Sequence, residues 1–245
     1  VSTSAGLGGG RVLGIDAAGR HGWVGVVADG GGFVAAHVHA ELAGLVAMAD
    51  DEALAAGAGP LAVVGVDIPV GLVDGPRRSA DVAARAFVGA RRSSVFPAPP
   101  RSVAGLTTQA EVNAHLAAIG LPLLSAQAVG LMGRIRETAA WAARDGRVRE
   151  IFPEASFRQL AGASLPHAKK AAAGALHRIE LLAGADPALV LPAELGPAGV
   201  VALDDLLDAA AVAWSAWRCA QGRALALGHP DEVDPDTGRR IAVWV

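Results

Sequence analysis

The sequence predicts an α/β protein built on one mixed sheet, with a three-strand antiparallel meander continued by parallel strands and flanked by helices. Three observations carry this expectation. "RVLGID", "WVGVVAD" and "FVAAHVH" read as short strands separated only by the turn chemistry of "AAGRHG" and "GGG". A helical pattern, "AELAGLVAMADDEALAAG", follows the third strand and ends at glycine. Then comes "LAVVGVD", an unbroken apolar run of the kind found in strands covered on both faces.

Further elements follow in order. "PRRSADVAARAFVGARRSS" reads as a basic helix and "VFPAPPRS" as an extended proline-rich loop. "SAQAVGLMGRIRETAAWAARDG" reads as one long amphipathic helix, and "VREIF" as a strand stopped by Pro153. "KKAAAGALHRIELLAG" is a further helix. After the loop "LPAELGPAG", "VALDDLLDAAAVAW" opens an alanine-rich helix that runs to about Gly222. The tail "DPDTGRRIAVWV" has turn residues before a last strand-like run. The domain reading is a flexible leader over residues 1–10, then a single domain over 11–245 with a helical insertion at about 75–145.

The 245 residues are 52% hydrophobic, enough for a substantial core, and only 18% are charged, against ~25% in ordinary soluble chains. A net charge of −3 leaves no global basic footprint for nucleic acid, so any such contact must be local. Cys219 is the only cysteine, so no internal disulfide can form, and a reducing, cytoplasmic location is expected. It reads as core packing rather than a nucleophile. No apolar run reaches the ~18–20 residues of a membrane span, so no membrane partner is expected.

The acids fall in unusual places. Asp16 closes the first strand and Asp67 the fourth, each at the end of an apolar run. If those strands are parallel neighbours, both carboxylates lie at the sheet edge where α/β ligands gather. In the late helix Asp208 is one turn beyond Asp204 and Asp205, so the three share a face. Burial of such like charges is costly without a compensating cation. An oxygen-rich cluster suits Mg²⁺ or Mn²⁺ rather than zinc, and two such ions can serve phosphodiester hydrolysis. Plainer readings stand beside this one. Asp16 and Asp67 could be turn formers, Asp204 the helix N-cap, and Asp205 a complement to the helix dipole. Glu154, in "REIFPEASF", could join the cluster, position a water or cap the helix that follows.

Among the basic residues, Arg78, Arg85, Arg91 and Arg92, with Ser93, could hold phosphates or be solvated helix ends. Lys169 and Lys170 are the only lysines among 21 basic residues and read as surface. The seven histidines show no metal-ligand spacing, and His37 and His39 read as structural. "GLGGGR" lacks a preceding strand and fails as a phosphate loop. The five tryptophans read mostly as core.

"VLGIDAAGRHGWVGV", "VVGVDIPVGL", "ARRSSVFPAP", "SAQAVGLMGRI", "VREIFPEASF" and "DDLLDAAAVAWSAWR" together resemble the family called domain of unknown function four-two-nine, described as predicted nucleases of the RNase H-like superfamily. The resemblance spans about residues 11–225. The "D-x-x-D-A" at Asp205–Ala209 also looks like the final-helix motif of RuvC-type Holliday-junction resolvases, which leaves a homodimer open. Carried over by motif, the resemblance implies an RNase H-like fold. It also implies a divalent-metal set of Asp16, Asp67 and Asp208, with Asp205 as companion of Asp208. Glu154 belongs to the family motif without an equivalent in the resolvase pattern.

The reading that results is a Mg²⁺- or Mn²⁺-dependent nuclease acting on nucleic acid, in which Asp16, Asp67, Asp208, Asp205 and Glu154 are the catalytic candidates. Its rivals are a phosphotransferase or ATPase-like member of the same fold, which would bind ATP, and a non-catalytic binding module.

Overall fold

The computed structural model describes residues 10–245, so the leader expectation falls, Gly10 apart, outside the described residues. Seven strands form one mixed sheet in the order β3-β2-β1-β4-β5-β7-β6. They are β1 (Val12–Ala17), β2 (Trp23–Asp29), β3 (Gly32–His39), β4 (Val63–Val66), β5 (Val148–Ile151), β6 (Ala226–Leu227) and β7 (Val243–Trp244). The helices are α1 (Leu42–Ala55), α2 (Ser79–Val88), α3 (Gln109–Ala118), α4 (Ala126–Gly130), α5 (Met132–Ala142), α6 (Pro153–Ala161), α7 (Ala172–Ala183) and α8 (Leu203–Ala220). None of them is long and apolar enough to cross a membrane.

The chain divides into two compact units. The first holds the described residues up to Asp67 together with 147–225 and 244–245; the second holds 68–146 and 226–243.

In the first unit, β1 pairs antiparallel with β2 and β2 with β3, while β1–β4 and β4–β5 are parallel. This is the meander with a parallel continuation. β1 is buried almost throughout because both of its faces are covered. On one face α8 lies across β1, β2 and β4. The approach is so close that a Cβ on Gly14 would sit 2.0 Å from the Ala213 nitrogen and 2.4 Å from the Ala209 carbonyl oxygen. A Cβ on Gly65 in β4 would meet Val212 at 2.8 Å and Ile151 at 2.7 Å. Small residues on both sides let helix and strand backbones touch, which accounts for the run of alanines in α8. The other face is closed by α1: Gly25 of β2 faces Leu13 and Leu45, and side chains alternate along a strand. Every residue of α8 from Leu206 to Trp217 is buried. α6 and α7 cover it, and a buried Ser156–Ser215 hydroxyl contact of 2.8 Å joins α6 to α8. Arg147 grips Asp50 with two hydrogen bonds of 2.8 and 2.9 Å, fastening the start of β5 to α1.

The regular structure of the second unit is helical apart from short strand segments, and long loops connect it. The expected long helix over 125–146 is instead two, α4 and α5, meeting around Leu131. The sequence reading also passed over α3. Its start carries a Thr108–Glu111 capping box, with the Glu111 amide donating to the Thr108 hydroxyl and Glu111 accepting from Thr108. Val103, Val112, Leu116 and Met132 form a small core here. Asp234 organises the tail by accepting from the Leu72, Asp236 and Thr237 amides.

Candidate functional site

Two parallel strands and one buried helix position the acids of the first unit. Asp16 is the fifth residue of β1, and Asp67 directly follows β4. The strands run in register, Ile15 opposite Val66, and the Asp67 amide donates to the Ile15 carbonyl at 3.0 Å. The two carboxylate-bearing residues therefore sit side by side at the C-terminal edge of the sheet. Asp208 is brought to the same edge because the next residue, Ala209, and Ala213 one turn on are both pressed on Gly14 of β1. Asp16 and Asp208 are 7% and 4% exposed, and Asp67 is partly buried.

The compensating cation is in the sequence, and it is Lys169. Its Nζ donates to Asp208 Oδ2 at 2.5 Å and lies 3.9 Å from Asp204 Oδ2. The expectation that Lys169 is a plain surface residue is thereby corrected; Lys170 is exposed as expected. The loop between α6 and α7 delivers this lysine, and it is held closely. A Cβ on Gly174 would fall 1.9 Å from the Ala168 carbonyl oxygen. Arg178 of α7, 1% exposed, donates to the Gly174 carbonyl at 3.2 Å and to the His167 carbonyl at 3.5 Å. The same guanidinium donates to Glu154 Oε2 at 2.7 Å and stacks 5.0 Å from the Phe157 ring centroid. Glu154 thus braces Arg178, and Arg178 braces the loop that carries Lys169.

Asp204 is not the N-cap. That position is Ala202, which makes no side-chain cap, and the helix begins one residue before Asp204. Asp204 and Asp205 lie in its first turn, where carboxylates complement the helix dipole. Asp205 is partly buried.

Electrostatics ties the cluster together. Burial pushes the Asp16 carboxyl well above its ordinary range, the charges of Asp67 and Asp208 push it further, and Lys169 and the Ala17 amide oppose them. Asp67 is raised in the same way by burial and by Asp208, with Glu150 adding and Lys169 opposing. Asp208 is pushed up to about 6 by burial, against the charge and hydrogen bond of Lys169 and the charge of Arg178. Burial works against the Lys169 ammonium, but Asp208, Asp16 and Asp67 hold its affinity for the proton above that of an ordinary lysine. Glu150, buried on β5, is a member of this set that sequence reasoning missed. Its signal was a carboxylate in the middle of the strand "VREI".

Would a divalent ion fit? In chemistry the donors suit it: hard carboxylate oxygens, each disfavoured as an anion by burial. In spacing they do not close on one ion. Among the described residues no group of three or more His, Cys, Asp or Glu side chains is placed to hold a metal, and an oxygen of Asp208 is taken by Lys169.

The remaining candidates lie in the second unit. Arg78 is 2% exposed, and its guanidinium is engaged by Asp81 and by the Gly71 carbonyl. Asp81 also accepts from the Ala98 amide at 2.9 Å, so this ion pair pins the proline-rich loop to α2. Arg85 donates to the Val95 carbonyl at 2.6 Å. Arg91 is partly buried, while Arg92 and Ser93 are exposed in the 3₁₀ turn Gly89–Ser94.

In the first unit, His37 faces Glu52 at 2.9 Å and His39 turns to the Glu41 backbone, both structural roles. Burial pushes the Cys219 thiol up to about 11, which makes it a poor nucleophile. Trp23, Trp214 and Trp217 are core residues.

The model of one protein family, described as "Protein of unknown function (DUF429)", matches residues 14–233, and the chain belongs to that family. None of the curated proteins and none of the solved structures compared with the chain matches it.

Proposed function

We propose that this member of the DUF429 family is a nuclease, hydrolysing phosphodiester bonds of nucleic acid at the acidic edge formed by Asp16, Asp67 and Asp208. One observation carries the reading. Three carboxylates from separate parts of the chain are driven toward protonation, first by burial and, for Asp16 and Asp67, also by the charge of neighbouring acids. Acids perturbed in this way concentrate at functional sites, where stability is given up for function. The order β3-β2-β1-β4-β5, a meander and then parallel strands, supports an RNase H-like architecture.

Asp16, Asp67 and Asp208, with Asp205 as companion of Asp208, are the side chains that a Mg²⁺ or Mn²⁺ ion would have to draw together, since as placed they do not close on one ion. The ion would supply charge neutralisation and a more acidic water. The protein's own contribution is positional. The ladder between β1 and β4 sets Asp16 beside Asp67, and the Gly14–Ala209 contact sets the depth of Asp208. Glu154 enters as the anchor of Arg178 rather than as a group facing water. Nucleic acid is the partner implied; of the basic candidates in the second unit, Arg92 is exposed, as is Ser93.

The test is Mn²⁺ titration calorimetry with wild type and Asp208→Asn, followed by cleavage assays on single- and double-stranded DNA and RNA. Binding that the variant loses, with cleavage lost alongside it, is the expected result. Wild-type cleavage that persists in excess chelator, or in Asp16→Asn, would sink the assignment.

A further inference from the structure

Of the chain's five tryptophans and five phenylalanines, all among the described residues, Phe96 alone is exposed, at 47%; the others are buried or half-buried. It stands in the second unit, in the proline-rich loop that follows the turn Gly89–Ser94. We propose that Phe96 is a stacking platform for an unpaired base, with Arg85, Arg92 and Ser93 beside it to meet phosphates, so that this surface binds single-stranded nucleic acid. The inference rests on nucleic acid being the partner in the reading above and narrows it to one class of strand.

Three features separate Phe96 from an incidental surface apolar residue. First, the loop is fastened on both sides of the ring. Val95, Ala98, Pro99 and Pro100 are buried while Phe96 and Pro97 are exposed. The Val95 carbonyl accepts from Arg85 at 2.6 Å, and the Ala98 amide donates at 2.9 Å to Asp81, itself buried in α2. Pro97 fixes its own backbone angle and keeps Phe96 extended. A ring held this firmly gives up little freedom when a base lands on it. Second, two arginines are attached to the residue before the ring. Arg85 bonds the Val95 carbonyl, and the Val95 amide donates to the Arg92 carbonyl at 3.3 Å, leaving the Arg92 side chain and Ser93 exposed. Third, the charge here is not neutralised. Over residues 75–145 nine arginines stand against four acids, Asp81, Glu111, Glu137 and Asp145, a surplus of five in a chain whose net charge is −3. Among the described residues neither Arg85 nor Arg92 has a carboxylate partner, and Arg136 and Arg144 donate to backbone carbonyls only. Unneutralised guanidinium groups attract phosphates of any strand. The ring adds what a single strand alone offers, an open base face, since a duplex keeps those faces in its own stack.

The experiment measures binding by fluorescence anisotropy on the full chain, in chelator so that nothing is cut. The probes are labelled oligothymidylate, oligouridylate and an oligothymidylate–oligoadenylate duplex. Thermal melts establish that each variant is folded. Wild type should bind the single strands more tightly than the duplex. Phe96→Ala should weaken single-strand binding about tenfold, the loss of one stacked base, and leave duplex binding unchanged. Phe96→Trp, which keeps a stacking face, should bind as wild type does. Arg92→Ala should weaken binding to both and lower the salt slope on single strands by about 0.7. Equal effects of Phe96→Ala on single strand and duplex, or no effect on either, overturn the inference. So does competition by polyglutamate as effective as that by unlabelled oligothymidylate, or no binding of any oligonucleotide by wild type. Cleavage is read separately with Mn²⁺ added. Single-strand binding without cleavage keeps the inference and ends the nuclease reading; cleavage by a Phe96→Ala protein that binds as wild type does ends the inference alone.

Discussion

Asp208→Asn should stabilise the metal-free protein, and by an amount that depends on pH. The carboxyl of Asp208 is buried in α8 and is displaced from 3.8 to about 6. Its folded-state value lies above its unfolded one, so over that interval the native state holds a proton that the unfolded chain has lost. Stability therefore falls as pH rises from below 3.8 through about 6, and the full cost is present above that window. A displacement of this size corresponds to about 3 kcal/mol at pH 7.5 and about 1 kcal/mol at pH 4.5. An asparagine has the shape of the protonated acid and can still accept from Lys169, so it should recover most of that cost. Urea unfolding in chelator, wild type against variant, reads this directly. The expected gain is largest at pH 7.5 and shrinks toward zero as pH drops below 4. A variant less stable than wild type at pH 7.5, or a difference that does not change with pH, would refute the argument that burial dominates this carboxylate. Stabilisation joined to loss of metal binding would be the usual signature of a functional group kept at the expense of stability.

Three other outcomes test the scaffold. Gly14→Val forces side-chain atoms into the α8 backbone at 2.0–2.4 Å, and since neither strand nor helix can yield locally it should cost at least about 3 kcal/mol. Its melting temperature should fall by about 6–12 °C, and a near-wild-type melt would show that the contact is looser than described. Arg178→Met leaves Glu154 buried without the guanidinium that neutralises it and should cost about 3–5 kcal/mol. Arg178→Lys should recover part of this in chemical denaturation, and a neutral Arg178→Met would remove the brace from the account. Thr108→Ala removes a helix cap in the second unit and should cost about 1 kcal/mol, seen as faster amide exchange in the first turn of α3. Unchanged exchange there would mean that the capping box does not stabilise that turn.

Much of the fold was legible in the residues themselves. The meander could be read because tight-turn residues separate short apolar runs, a signal confined to a few neighbouring positions. The parallel strand β4 could be read because a strand covered on both faces shows no alternation. α8 announced itself through its alanines, and Asp16, Asp67 and Asp208 through being charges at the ends or in the middle of apolar runs. The break between α4 and α5 was not legible, since periodicity continues across Leu131. α3 was within reach, through a Thr-x-x-Glu signature that passed unnoticed.

What the sequence by itself determined is therefore the local chemistry: which segments are strands or helices, and which acids are too costly in place to be incidental. The tertiary structure decided the partners. Asp208 lies 39 positions from Lys169 along the chain, and no periodicity or spacing links them. Nor does any local pattern show that Glu154, Arg178 and Gly174 together hold the loop that carries the lysine. Burial gives an acid its high energy locally, but the charge that offsets it can arrive from any part of a folded chain. For that reason the need for a cation was visible in one dimension, and its identity as Lys169 only in three.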